Sequence, residues 1–363
     1  MEALVMDTNF VAVGILDSYD SFIWTDRFSS CGDFEVYTTA SKETFNLLRS
    51  DYYLWRKETN KVMIIDEVQI ESDTEDGNKI IVSGESLEAI LKRRIIWNRT
   101  EINGNLQEGV KTLLDENIIN PTDENRKIPN FEFEENTDER ITSLTWEMKY
   151  GGDNLYDVIC KICESKEIGF QITLTDDNRF IFKLLVGEDR SYAQELNTYV
   201  VFSPDWDNII NSNYLESRRM EKNVALVAGE TEGEDDENRK TTSIGTATGL
   251  ARRELYIEAS DVSSEKEDDT KLTEEEYMEA LKTRGEEELA TYKKTHVYEG
   301  EMDANQMFVY GEDFFLGDVV QLNDEYGNES KARITEMIYS RNKSGFSFYP
   351  TFTVIDNEEG NGQ

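Results

Sequence analysis

The sequence is poor in the residues that carry most enzyme chemistry. It has one histidine, His296, in "KKTHVYEGE". A Ser-His-Asp or Cys-His machine would have to use it, yet it reads as the start of a strand. Histidine-rich zinc sites are excluded by the count. The three cysteines, Cys31, Cys160 and Cys163, are an odd number and give no disulfide framework. Cys160 and Cys163 form a C-x-x-C, but within an amphipathic helix and with no second pair to complete four zinc ligands. Cys163 falls on the apolar face and reads as a core thiol. Cys160 lies well inside the helix, away from the N-terminus that lowers a thiol pKa.

Basic side chains are scarce as well: 38 Lys and Arg against 76 Asp and Glu, a net charge of −38. Such a chain repels nucleic acid and anionic membrane. A basic-groove DNA binder is excluded, while a body that DNA passes without sticking is not. No apolar run approaches the ~20 residues needed to span a bilayer. The start, "MEALVMDTNF", lacks the positive and long apolar regions of a signal peptide, so folding in a cytoplasm is expected. There is no phosphate-binding P-loop and no dinucleotide fingerprint. "DTEDGN" misplaces the glycine of a calcium loop and lacks its final glutamate. With 76 acids, no glycosidase pair can be nominated.

What is present is β-structure. Hydrophobic residues make up 38% of the chain and aromatics 11%, so it folds despite its charge, and its length allows two or three domains. "FVAVGILDS", "SFIWTDRF" and "FEVYTTA" read as strands. "DYYLWRK", "KVMIIDEVQIES" and "KIIVSG" read as a three-stranded meander over 51–84, turning at Thr59-Asn60 and Asp76-Gly77. Helices are predicted at "SKETFNLLRS", capped by Ser41, at "SLEAILKRR", with cations at its C-terminus, and over 104–116, capped by Asn105. Pro121 and Pro129 then break regularity. A further helix over 153–167 has Leu155, Val158, Ile159, Ile162 and Cys163 inward, and "GFQITLT" and "RFIFKLLV" follow as strands. "TEGEDDENRK" reads as a solvated tip. Thr273 and Glu276 cap a helix whose stripe, Tyr277, Leu281, Gly285 and Leu289, is thin, so it is expected to bury little.

Two segments share one order of elements. "YYLWRKETNKVMIIDEVQIESDTEDGNKIIVSG" and "DVVQLNDEYGNESKARITEMIYSRNKSGFSFYPTFTV" each give a strand, a polar turn, a longer strand with an acid before Val or Met, a Gly-containing turn and an apolar strand. "IDEV" sits where "TEM" sits. Two copies of a small β-barrel element are expected, so that a trimer presents six similar units around a ring.

Longer blocks carry a family resemblance. "ILDSYDSFIWTDRFSSCGDFEVY", "DYYLWRKETNKVMIIDEVQI", "GESLEAILKRRIIW" and "NSNYLESRRMEKNVALVAGE" resemble the tail hub proteins of long-tailed bacteriophages, in the group of ReqiPepy-type siphovirus tail proteins. "ARRELYIEASDVS", "MFVYGEDFFLGDVVQL" and "ARITEMIYS" follow in the same order, and the likeness covers roughly residues 5 to 355. It implies a homotrimeric hub at the distal end of a tail tube, similar to the hub of contractile-tailed phages, with two barrels per chain building a pseudo-sixfold ring. The implied neighbours are the distal tail protein ring, the tape-measure protein and more distal fibre or receptor-binding proteins. The resemblance supplies no catalytic, cofactor or metal residues. Many members carry a C-terminal lytic or carbohydrate-binding extension; this chain ends at Gln363, so no such activity is expected here.

The expected fold is α+β, mainly β: a first barrel domain over 1–98 completed by strands in 198–230, an α+β middle domain over 99–197, return strands with an acidic loop and surface helix over 198–294, a second barrel over 295–356, and a polar tail over 357–363. The expected function is a trimeric ring at a virion tail tip or baseplate that adapts the sixfold tube and lines or plugs the DNA exit channel. It is assembled in the host cytoplasm, without membrane insertion and without specific DNA binding. Arg93-Arg94, Arg218-Arg219 and Arg252-Arg253 are candidates for intersubunit ion pairs. The alternatives are a tail-associated cell-wall hydrolase, or an adhesin using Trp97, Trp146 or Trp206 on a sugar.

Overall fold

The computed structural model describes residues 1–56, 59–73, 77–231, 239–264, 271–302, 307–324, 326 and 329–355. The turn residue Asp76, most of the acidic tip, part of the second polar stretch and the polar tail lie outside the described residues.

The N-terminal part contains β1 (Ala3–Met6), β2 (Ala12–Leu16), β3 (Ser21–Arg27), β4 (Asp33–Thr39), helix α1 (Lys42–Leu47), β5 (Tyr53–Arg56), β6 (Lys61–Asp73) and β7 (Gly77–Ser86). The Ser41 hydroxyl accepts from the Thr44 amide at 3.0 Å, and this cap starts α1. Asn60, at φ 52°, turns β5 into β6. The inner half of β6 is apolar without alternation because it has a core on each face. Val62 and Ile64 point into one, Met63 and Ile65 into the other.

The middle part contains β8 (Thr100–Asn105), α2 (Leu106–Leu114), β9 (Phe131–Glu134), α3 (Glu139–Thr142), β10 (Thr145–Tyr150), α4 (Leu155–Ser165), β11 (Gly169–Leu174) and β12 (Phe180–Leu185). Asn105 and Asn154 cap α2 and α4 through the Glu108 and Tyr156 amides. The predicted inward face of α4 is buried throughout, and Cys160, which was not assigned to it, is buried too. The helix expected at "SLEAILKRR" is a 3-10 segment, Leu87–Arg93. Its five residues from Leu87 to Leu91 are all buried, which leaves no polar face for a longer α-helix.

The remainder contains β13 (Val201–Phe202), β14 (Ile210–Ser217), β15 (Val224–Ala228), β16 (Thr241–Ile244), β17 (Glu254–Glu258), α5 (Glu274–Ala290), β18 (Thr295–Glu301), β19 (Val319–Asn323), β20 (Glu329–Asn342) and β21 (Gly345–Ile355). Helix α5 has the expected Thr273–Glu276 capping box. It is more buried than its apolar stripe suggests, lying across β10, β15, β16 and α4 with Leu281 fully enclosed. A paired charge completes its inner face, where Glu287, buried, meets Arg284 at 3.3 Å. Gly285 allows the close approach, since a Cβ there would lie 2.1 Å from Ile244 Cδ1.

One thirteen-stranded sheet joins the two ends of the chain in the order β14-β18-β21-β20-β3-β4-β7-β6-β5-β1-β2, with β19 also on β20 and β13 on β19. Of the strands in 198–230 that were expected to complete the first barrel, β13 pairs with β19 and β14 with β18 near the C-terminus, while β15 pairs with β16 and β17. Among the described residues no pairing closes the path. Smaller sheets, β8-β10, β9-β12-β11 and β16-β15-β17, occupy the middle of the chain. One core lies inside the large sheet, around Phe22, Trp24, Phe34, Phe202 and Phe352. The second runs through the middle part to α5.

Candidate assembly surface

The two segments with a common order of elements fold as two copies of one strand arrangement. The first copy runs β3-β4-β7-β6-β5-β1 and the second β14-β18-β21-β20-β19-β13. Each long strand carries a bulge at the same place. The β6–β7 register shifts between Ile65 and Glu67, leaving Asp66 extra. The β20–β21 register shifts between Ile334 and Glu336, leaving Thr335 extra. These are the "IDEV" and "TEM" positions. A bulge bends its strand and adds twist, so both copies turn at the same point. They differ at the far edge, where β1 lies antiparallel to β5 and β13 parallel to β19.

The copies are joined inside the chain by β3 and the outer half of β20, antiparallel from Glu336 opposite Arg27 to Asn342 opposite Ser21. Phe22, Trp24, Met337 and Tyr339 are buried there. The Arg56 guanidinium stands 4.3 Å from the Tyr339 ring centre and 5.3 Å from that of Trp24. Burial pushes the Tyr339 hydroxyl pKa up, and the Asp26 charge adds to the effect. At the end of the joint Arg27 reaches Glu336 and Asp33, each at 2.6 Å. Burial opposes its charge, but these carboxylates outweigh it and raise its pKa.

The matching elements elsewhere are open. Among the described residues the outer half of β6 pairs only with β7, and β14 only with β18. All of β14 from Ile210 to Glu216 is exposed, including Tyr214 and Leu215 at 50% each. Ile70 on β6 is 51% exposed. Beside the β6 bulge, burial pushes the Asp66 carboxyl pKa up, and the nearby Glu85 charge adds to it.

The arginine doublets are spread over the surface. Arg93 lies 3.9 Å from Asp51. Arg94 donates to the Arg126 and Arg93 carbonyls, and burial lowers its pKa with Arg126 adding to the effect. Arg218 and Arg253 share Glu221 at 3.7 and 3.5 Å. Arg252 meets Glu254 at 2.5 Å. Arg219 is exposed, and its amide donates to Ser217 Oγ. The tryptophans do not gather. Trp146 is buried and donates to the Tyr150 hydroxyl at 2.9 Å, Trp97 faces Arg126, and Trp206 is half exposed.

The groups that could do chemistry are engaged structurally. His296 Nε2 bonds the Tyr214 hydroxyl at 2.9 Å. Burial pushes the Cys160 thiol up to about 12 and Cys163 well above its ordinary value, so neither presents a thiolate. Four carboxylates are buried among the described residues, Asp26, Glu88, Asp318 and Glu287. Their partners are Trp24 Nε1, the Ile172 amide, Arg190 and Arg284. Among the described residues no cluster of three His, Cys, Asp or Glu could hold a metal ion, and no helix is long and apolar enough to cross a membrane.

Residues 2–352 match the family model described as Siphovirus ReqiPepy6 Gp37-like protein. The chain belongs to that family. The family is one of siphovirus tail proteins. No curated protein matches the chain. Solved structures that share its fold include the following three. The 43 kDa tail protein of prophage MuSo2 from Shewanella oneidensis is 12% identical at a TM-score of 0.59, covering 97% of this chain and 98% of that one. The tail protein from Neisseria meningitidis MC58 is 11% identical at 0.54, covering 97% and 96%. Prophage tail protein gp18 from Listeria monocytogenes EGD-e is 11% identical at 0.51, covering 99% and 96%.

Proposed function

We propose that this tail protein is the hub of a phage or phage-tail-like particle. Three copies form a ring at the tail tip or baseplate, adapt the sixfold tube to a threefold tip, and line or plug the DNA exit channel. The observation that carries this reading is the duplicated strand order with its bulge in the same place. Two like units per chain let three chains meet a sixfold ring unit for unit. In the ring, each copy with its neighbour's strands makes one of the two small barrels per chain, the first built on 1–98 and the second on 295–356. The middle part and α5 lie outside them.

Charge supports the channel. Three chains of −38 carry −114, and a bore lined with carboxylates repels DNA phosphates, the reverse of the attraction that drives DNA binding. The proposed neighbours are the distal tail protein ring, the tape-measure protein and distal fibre or receptor-binding proteins, with assembly in the host cytoplasm. The engaged histidine and un-ionised thiols support shape rather than catalysis as the role, with no cofactor. Of the arginine doublets, Arg218-Arg219 fits an intersubunit role best, because it directly follows the open strand β14.

The mass of the purified chain in solution tests this reading. Three copies of 41.9 kDa are expected; a monomer at every concentration overturns it. Release of soluble fragments from peptidoglycan would favour a hydrolase instead.

A further inference from the structure

The internal joint has a counterpart that the chain leaves unmade. Following the ladders identifies it residue by residue. Trp24 stands opposite Phe34, which stands opposite Gly84. In the second copy Tyr214 stands opposite Tyr298, which stands opposite Phe352. Gly84 and Phe352 each face the isoleucine just before a bulge, Ile65 and Ile334. Tyr214 is therefore the second copy's Trp24, and β14 its β3. Counting from the bulges, Ile70 occupies the place of Tyr339, four residues beyond Asp66 as Tyr339 is beyond Thr335. Tyr339 is the residue that faces Trp24 in the internal joint.

Resting on the hub reading, we propose that β14 of one copy pairs antiparallel with the outer half of β6 of the next, Tyr214 facing Ile70, in the geometry of the β3–β20 joint. The occupant of each open edge is thus a second copy of this chain. The register then follows: Glu67 faces Ser217, Val68 faces Glu216, Gln69 faces Leu215, Glu71 faces Asn213 and Ser72 faces Ser212.

Three features support the pairing. First, both edges are open, and both expose apolar side chains that an edge strand ordinarily avoids. Second, this register places no acid directly opposite another, although the chain has twice as many acids as bases. The carboxylates of Glu67 and Glu71 meet Ser217 and Asn213, so cross-strand repulsion is avoided. Third, Arg27 closes the internal joint on Glu336, whose counterpart is Glu67. Ser217 holds the place of Arg27, but Arg218, one residue further, comes beside the neighbour's Asp66 and Glu67. Its own acid, Glu221, is 3.7 Å away, beyond hydrogen-bond length. The pairing is head-to-tail, one edge of each kind per chain, and such a contact closes into a ring when its rotation repeats.

Cysteine capture tests it in the full-length chain, because Cys31, Cys160 and Cys163 are all buried and do not compete. Ile70→Cys and Tyr214→Cys are made separately, mixed and oxidised. Covalent dimers are expected from the mixture, and neither variant alone should cross-link. The double variant should give dimers and trimers. The offset pair Glu67→Cys with Tyr214→Cys should give several-fold less product. A chain that has trimer mass but does not cross-link through 70 and 214 overturns this joint and leaves the ring intact. A chain that is monomeric and does not cross-link overturns both. Arg218→Glu is expected to weaken association tenfold or more without changing the melting temperature of the monomer; unchanged association removes Arg218 from the interface.

Discussion

The two copies of the strand arrangement have the same order and the same bulge, yet they meet different surroundings. The outer half of β20 carries Met337 and Tyr339 into a core completed by Phe22 and Trp24. The outer half of β6 carries Val68 and Ile70 to a largely open edge. The side chains follow. The closed joint is aromatic and holds a half-buried Arg27–Glu336 pair. The open elements are less apolar, with asparagine and serine among the residues of β14. An edge that must stay soluble before assembly cannot expose a Trp24, whereas one sealed during folding can. The difference separates what holds the monomer from what holds its neighbours.

The largest expected effect that breaks the comparison is in the sealed joint. Trp24→Ala should destabilise the chain by about 3–5 kcal/mol through loss of packing at a fully buried site, measured by denaturant unfolding. Tyr214→Ala, its counterpart on β14, should stay within about 0.5 kcal/mol in the same measurement while weakening self-association. Equal losses would show that the two positions are not in different environments.

The bulges sharpen the comparison. Deleting Thr335, the extra residue, keeps the β20–β21 pairing and leaves Ile334, Met337 and Tyr339 on the core face but removes the bend that carries the outer half of β20 to β3, so a lowered melting temperature is expected by circular dichroism. Deleting Asp66 likewise leaves Ile65, Val68 and Ile70 on one face but straightens β6, which should lower the melting temperature less and abolish assembly.

A smaller effect concerns charge in the middle part. Hydrogen bonds from the Arg140 side chain and amide hold the Asp138 carboxyl down at about 2. Its folded pKa is below the ordinary ~3.9 of aspartate, so its contribution is present above about pH 4 and is lost as pH falls through about 2. Asp138→Asn should lower the melting temperature slightly at pH 7, on the order of a helix cap, and the difference from wild type should vanish near pH 2.

Much of this was legible from local chemistry. Ser41, Asn105 and Thr273 announce their helices through short-range caps. The meander over 51–84 is written in alternation and turns, and the correspondence of the two copies in the matching places of "IDEV" and "TEM"; the bulges there were not predicted. Partners distant in sequence were not legible. Nothing local tells β14 to join β18 rather than the first set of strands, or β3 to join a strand some three hundred residues away. The burial of α5 also escaped, because a paired Glu287 does not register as apolar. The assembly edges were missed for a related reason. Exposed Tyr214 and Ile70 look like ordinary strand residues until the duplication shows which neighbour each lacks.

The central claim is that one chain supplies two like units to a ring of three. A three-dimensional reconstruction of the particle's tail end, with this chain located in it, tests it most directly. The account predicts three copies around an acidic bore, each β14 lying along the next copy's β6. A single copy on the axis, or a bore lined with basic side chains, would contradict it.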